Sequence, residues 1–277
     1  MMICDTFPKR QHGNLHRLCA TILLVAIFGQ PAIAQTFVEL GEGDMTIDSW
    51  LISDWPAGQS EIMRWSPQNV VQAEDGTVTL SLEPDPQSQG SSRTMYRGGE
   101  VQSVAVASTG TWTFDVQAPD MVDGAVFGLF LYRADWQNDP WREYDIEFVG
   151  SDTTQVQLNI HFQTEDGTRV SLDQARGGVV TVDLGFDASK SVNTYAIEVQ
   201  PEHVVFRVND RILGRFGPED MPRNTWDPGM LKAFVDLWAA APGQADWTGD
   251  WVYPGTPLTA RIERLTLPEQ ARMISGD

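Results

Sequence analysis

The run Glu143-Tyr144-Asp145-Ile146-Glu147-Phe148 alternates acidic and apolar side chains without a break. That alternation confines the segment to a β-strand, because only a period of two gathers Glu143, Asp145 and Glu147 on one face and turns Tyr144, Ile146 and Phe148 to the other. The apolar face needs a second layer to cover it.

The pattern is not decisive alone. With 38 Asp and Glu among 277 residues, acid-x-acid-x-acid arises by chance roughly 0.7 times in such a chain, and an ordinary half-solvated antiparallel strand is written the same way. Chemically, though, two carboxyl groups flanking a sugar linkage are what glycosidic hydrolysis needs: one protonates the departing oxygen, the other attacks the anomeric carbon or activates water. A third acid between them holds a proton or tunes its neighbours by like-charge repulsion.

The N-terminal segment bounds the destination. Lys9, Arg10 and Arg17 precede an apolar run at 18–28, and Ala32-Ile33-Ala34 offers a small-residue cleavage site, so residues 1–34 read as a secretory signal and 35–277 as a length that a single domain accommodates. The run is too short to span a bilayer, so no stable membrane insertion is expected once the signal is removed, and the destination is secreted or periplasmic. Both cysteines, Cys4 and Cys19, fall in the signal, which leaves the remaining chain without a disulfide and dependent on a large core. The signal takes three bases and one acid with it, leaving 16 bases and 37 acids, a charge of -21. Nucleic acid and anionic membrane surfaces are disfavoured partners. Neutral polysaccharide is compatible, and ten tryptophans supply rings on which sugar faces can stack, although most are expected in the core.

Short β-branched or alternating runs separated by turn residues predict strands at 77–82, 101–106, 111–116, 126–132, 142–148, 155–162, 179–184, 194–199, 203–208, 232–238 and 260–267. Asp75-Gly76, Glu165-Asp166-Gly167 and Asn209-Asp210 supply turns, while 84–92 and 217–229 read as loops. The fold class is therefore all-β, with two stacked sheets.

The stretch from Trp50 to Leu267 resembles the family 16 glycoside hydrolases, above all the bacterial lichenases (endo-β-1,3-1,4-glucanases) and the exopolysaccharide (succinoglycan-type) β-glycanases. The segment from Pro140 to Gly150, PWREYDIEFVG, is similar to that group's signature, and four further stretches match in order: Tyr96-Arg97-Gly98-Gly99-Glu100, Val156-Gln157-Leu158-Asn159, 184–196, and Leu237-Trp238 with Trp247-Thr248-Gly249. The resemblance implies a β-jelly roll of two antiparallel sheets with a concave substrate cleft, and a retaining endo-β-glucanase that needs no cofactor and acts on β-1,3-1,4-glucan or a related exopolysaccharide. By position it implies Glu143 as nucleophile, Asp145 as the assisting acid and Glu147 as acid/base. It implies Glu100, Trp141, Asn159 and Trp238 as substrate contacts, with Tyr132, Trp247 and Asp236 as further candidates. His161 reads as a polar strand residue on the cleft wall, with substrate contact as the alternative. Members often hold a structural calcium, for which the Gly76 carbonyl and Glu263 are the candidate ligands; with two histidines and no cysteine after the signal, a catalytic zinc is not expected.

Single spacing between the acids is the regular-strand version, which favours the lichenase-like branch. Departures occur at Thr109-Gly110, at Asp236 where the family has Asn, and at 206–210. A transglycosylase would use the same acids, and a non-catalytic β-glucan-binding protein would have lost them. The chain is expected to work as a monomer.

Overall fold

The computed structural model describes residues 36–39, 49–88 and 95–273; the predicted signal segment lies outside them. Two nine-stranded sheets stack face to face. The first runs, from edge to edge, Thr36–Glu39, Ser49–Ile52, Glu100–Ser103, Leu231–Ala239, Ala125–Arg133, Arg142–Val149, Gln155–Gln163 and Arg169–Ser171, with Val180–Asp183 also paired to Gln155–Gln163. The second runs Arg211–Phe216, His203–Val208, Asn193–Gln200, Gly110–Gln117, Leu258–Thr266, Val78–Pro84, Tyr96–Gly98 and Met63–Trp65, with Val70–Gln72 on Val78–Pro84.

All eleven predicted strands are present within a few residues, although the one expected at 101–106 is divided between Glu100–Ser103 and Ala105–Val106. The jelly roll is borne out with one correction: Met63–Trp65 and Tyr96–Gly98 pair in parallel, so the second sheet is mixed. Strands of three residues carry too little alternation to be read from sequence, and their direction is set by the path of the chain between them. The 217–229 segment is a loop, folded into two short 3₁₀ turns.

The core fills the space between the sheets. Tyr144, Ile146 and Phe148 are fully buried there, and Phe148 meets Tyr195 of the opposite sheet edge-on at 5.7 Å. Fully burying such a side chain contributes about 1.5–3 kcal/mol, and an edge-to-face aromatic pair about 0.5–1.5 kcal/mol more. The apolar half of the alternating run thus anchors the strand and turns its acids to the other side.

One corner matters for function. The chain crosses from the second sheet to the first at Gly98-Gly99, between Tyr96–Gly98 and Glu100–Ser103. A Cβ on Gly98 would sit 2.2 Å from the Leu237 carbonyl oxygen, and one on Gly99 would sit 2.5 Å from that of Asn69. Only glycine permits this approach, and the residue it delivers is Glu100.

Candidate active site

The Arg142–Val149 strand lies inside the first sheet and pairs without a bulge on either side across its acidic run. Glu143 stands opposite Tyr132 and His161, Asp145 opposite Phe130 and Asn159, and Glu147 opposite Gly128 and Gln157. Side chains at paired positions share a face, so these residues line one surface, the face of the sheet away from the core. The strand's start is tied down by Arg142, whose Nε donates to the Asp227 carbonyl at 2.9 Å and whose Nη2 pairs with the Asp227 carboxylate.

At the Glu143 end, the Trp141 Nε1–H donates to Glu143 Oε2 at 2.7 Å. Tyr132 meets the Trp141 ring edge-on at 5.4 Å, and two guanidinium groups lie over the same ring, Arg169 at 3.7 Å and Arg133 at 5.1 Å from its centroid. Burial pushes the Glu143 carboxyl up to about 7; the Trp141 hydrogen bond and the positive charges of Arg133 and Arg169 oppose that push. Trp141 therefore holds the carboxylate through its indole edge, while Arg169 covers the ring.

The Glu147 end is different. Glu100, Asp236, Gly128, Glu147 and Gln157 form one row across five strands. A Cβ on Gly128 would lie 2.6 Å from Asp236 Oδ1, so the bare glycine is what lets Asp236 extend along the row. Asp236 is buried; its Oδ2 accepts from Gln59 Nε2 at 3.3 Å and its Oδ1 has no partner among the described residues. Ser53 Oγ donates to Glu100 Oε1 at 2.5 Å. Burial pushes Glu147 up to about 8, with the charge of Glu143 adding to it, and raises Glu100 to about 7. Asp145 is raised well above the carboxylate range by burial and then by Glu143, Glu147 and Asp236, and Asp236 by burial and then by Glu100 and Glu147. Among the described residues no cation reaches any of these four acids within 4.0 Å except through His161, whose Nε2 is 3.5 Å from Asp145 Oδ2. Burial lowers the His161 pKa, so this contact is not a standing ion pair at neutral pH.

The other sequence candidates are distributed unevenly. Asn159 Oδ1 accepts from the backbone N–H of Ile160 at 2.9 Å and of Asp173 at 3.3 Å, so its side chain ties the Leu172–Arg176 helix to the sheet. Trp238 is nearly all buried, with its ring 6.1 Å from that of Trp247. The Trp247 Nε1–H donates to Gln157 Oε1 at 2.7 Å, which attaches this aromatic pair to the Glu147 row. Gly76 and Glu263 lie away from the row. The Gly76 carbonyl accepts from Gln72 Nε2 at 3.3 Å, and Glu263 pairs with Arg261 at 3.0 Å.

Sequence reading missed Ser53, Gln59, Gly128, Arg133, Gln157, Arg169 and Gln102, whose Nε2 donates to Ser53 Oγ at 3.4 Å beside Glu100. Strand parity could have found Gln102 and Gln157; the others depend on which strands and loops become neighbours.

Residues 58–253 match the family described as Glycosyl hydrolases family 16. The chain is 32% identical over 206 residues to a beta-glucanase of Brevibacillus brevis, covering 74% of this chain and 70% of that one. Among solved structures, the Bacillus licheniformis beta-glucanase superposes with a TM-score of 0.64 at 27% identity, covering 85% of this chain and 98% of that chain. A prokaryotic beta-1,3-1,4-glucanase (lichenase) derived from a mouse hindgut metagenome gives 0.63 at 27% identity, covering 83% and 96%.

Proposed function

The chain belongs to family 16 of the glycosyl hydrolases, and we propose that it is a retaining endo-β-glucanase with β-1,3-1,4-glucan or a related bacterial exopolysaccharide as substrate. The observation that carries the mechanism is the asymmetry along the acidic strand. Glu143 accepts an N–H and faces two guanidinium charges, whereas Glu147 faces only acids and uncharged groups. The first environment favours a carboxylate, the second a protonated acid.

In this reading the Glu143 carboxylate attacks the anomeric carbon while Glu147 gives its proton to the departing glycosidic oxygen, leaving a glycosyl ester on Glu143. Glu147, now ionised, takes a proton from water; the resulting attack on the anomeric carbon frees Glu143 and restores the β configuration. Asp145, between the two, has its pKa raised by burial and its neighbours' charge, which favours its neutral form and keeps a further negative charge off the strand between them. Retention asks for the two carboxyls to lie roughly 5–5.5 Å apart, while their backbones are about 13 Å apart on a strand that rises about 3.3 Å per residue; long glutamates at both outer positions and a short aspartate between suit that geometry.

The names of the relatives support a β-glucanase, and the three intact acids count against a non-catalytic glucan-binding role. A transglycosylase differs only in letting a sugar accept the glycosyl group. We place the enzyme outside the cytoplasm, in the periplasm or beyond, acting as a monomer without a cofactor. Proton NMR of the first product tests the mechanism: the β-anomer should appear before mutarotation, and predominant α-anomer would sink the double displacement.

A further inference from the structure

We propose that Arg133 and Arg169, gathered around Trp141 at the Glu143 end of the cleft, form a specificity site for a carboxylate borne by the glycan. The proposal rests on the glucanase reading and narrows its substrate to an acidic β-glucan.

The chain is strongly acidic, with a formal charge of -19, and eight other arginines of the described residues each hold a carboxylate oxygen within 4.0 Å. Arg133 and Arg169 hold none among the described residues; nor do Arg211, Arg215 and Arg272, but only Arg133 and Arg169 lie over the Trp141 ring beside Glu143. Arg133 is fixed in place by uncharged groups: its Nε donates to Tyr132 Oη at 3.2 Å and its Nη1 to the Asp139 carbonyl at 2.5 Å. Arg169 is exposed and lies flat enough on Trp141 to bring its Cζ within 3.7 Å of the ring centroid. Paired with Gln163 in the sheet, it projects from the same face as His161 and Glu143 by strand parity. Lys232, opposite Tyr132 on that face, adds a third cation, and it too has no carboxylate within 4.0 Å among the described residues.

Two guanidinium groups beside one aromatic ring, neither within 4.0 Å of a carboxylate among the described residues although both act on the Glu143 charge and Arg133 on that of Asp135, suit a planar anion, because each retains free N–H donors and keeps its charge at any working pH. Neutral glucan gives those donors nothing to neutralise. Trp141 bonds Glu143 directly, so an anion held here would sit on the sugar residues adjoining the one Glu143 attacks. At the opposite end, the Glu100–Asp236–Glu147 row has no cation within 4.0 Å among the described residues to hold the same substituent, which gives the substrate a preferred direction in the cleft.

The test compares β-1,3-1,4-glucan with the same polymer lightly carboxylated at C6. Binding is read by affinity electrophoresis in the Glu143→Gln background and turnover by release of reducing ends, for the parent, Arg133→Gln, Arg169→Gln and the double variant. Carboxylation should raise affinity and kcat/KM roughly tenfold at low salt, the advantage should shrink as salt shortens the screening length below about 10 Å, and the double variant should lose most of it. No advantage in the parent, or an equal fall on both polymers in the variants, overturns the proposal. Absence of reducing ends from both polymers would count against the glucanase reading instead, and the electrophoretic comparison would still decide for or against the cation site.

Discussion

The two ends of the Glu143–Glu147 run have the same residue type and the same strand face, yet their surroundings are opposite. Around Glu143 stand an indole N–H and two arginines; around Glu147 stand a bare glycine, a glutamine and two further buried acids in the same row. Burial raises both carboxyls, but the first place opposes that push with an N–H and two positive charges and the second adds a negative charge to it, so Glu143 costs less to ionise than Glu147. The difference teaches that the division of labour between two identical side chains is written in their neighbours, and that each neighbour can be altered to test it.

The largest expected effect comes from removing the carboxyls themselves. Glu143→Ala and Glu147→Ala should each lower turnover of glucan by at least about 10³-fold, with the fold intact by circular dichroism. Azide separates the roles: with an activated leaving group, Glu147→Ala should give the β-glycosyl azide through the intact nucleophile, and Glu143→Ala the α-glycosyl azide by direct attack on the vacated face. Opposite anomers would reverse the assignment.

A smaller effect should follow from Trp141→Phe, which keeps a ring for Arg169 and deletes the N–H on Glu143. A hydrogen bond to a charged group contributes about 1.5–3 kcal/mol, so kcat/KM should fall about tenfold or more. The pH profile sharpens the point. Activity requires Glu143 ionised and Glu147 protonated, so with Glu143 near 7 and Glu147 near 8 the profile of the parent should be a bell whose limbs bracket neutral to weakly alkaline pH. Losing the N–H raises the pKa of Glu143, so the acid limb alone should move to higher pH. A uniform loss with an unmoved limb would mean that Trp141 supports the fold and not the carboxylate.

The smallest effect concerns stability at the Glu147 end. A carboxyl whose pKa is higher folded than unfolded binds more protons in the folded state, so the fold loses stability as pH rises from the unfolded value, about 4, toward the folded one. Glu100, Glu143 and Glu147, raised to about 7, 7 and 8, place that loss between about pH 4 and 8. Asp236→Asn removes one raised acid without changing shape. Its thermal midpoint should exceed the parent's at pH 8 by a few degrees, each kcal/mol being worth about 2–4 °C in a domain of this size, with a smaller difference at pH 5. A constant difference at both pH values would show that Asp236 acts through packing.

Much of this site was legible in the chain. The single spacing of Glu143, Asp145 and Glu147 foretold one face of one strand; Asn159 was named by the resemblance and His161 read as a polar residue of the cleft wall, and the folded sheet sets them opposite Asp145 and Glu143. The grouping of Trp141 with Glu143 also followed from two-residue spacing, but the contact is an indole N–H to a carboxylate, with a guanidinium over the ring. The Gly98-Gly99 corner was noticed as a motif; its reason, the 2.2 Å that a Cβ would leave to the Leu237 carbonyl, depends on a strand more than a hundred residues further along the chain.

By itself, then, the sequence determined what is local: strand periodicity, which side each acid takes, and the apolar half that anchors the strand in the core. These follow from the period of two, a property of the backbone that needs no partner. Register across strands was decided only in the folded molecule, since nothing near Glu147 in the chain specifies that Gly128 and then Asp236 and Glu100 will stand beside it, or that Arg133 and Arg169 will close around Trp141. Ionisation belongs to the same level. A carboxyl's pKa is set by the water it loses and the charges it gains, and both are supplied by residues that only long-range pairing brings near.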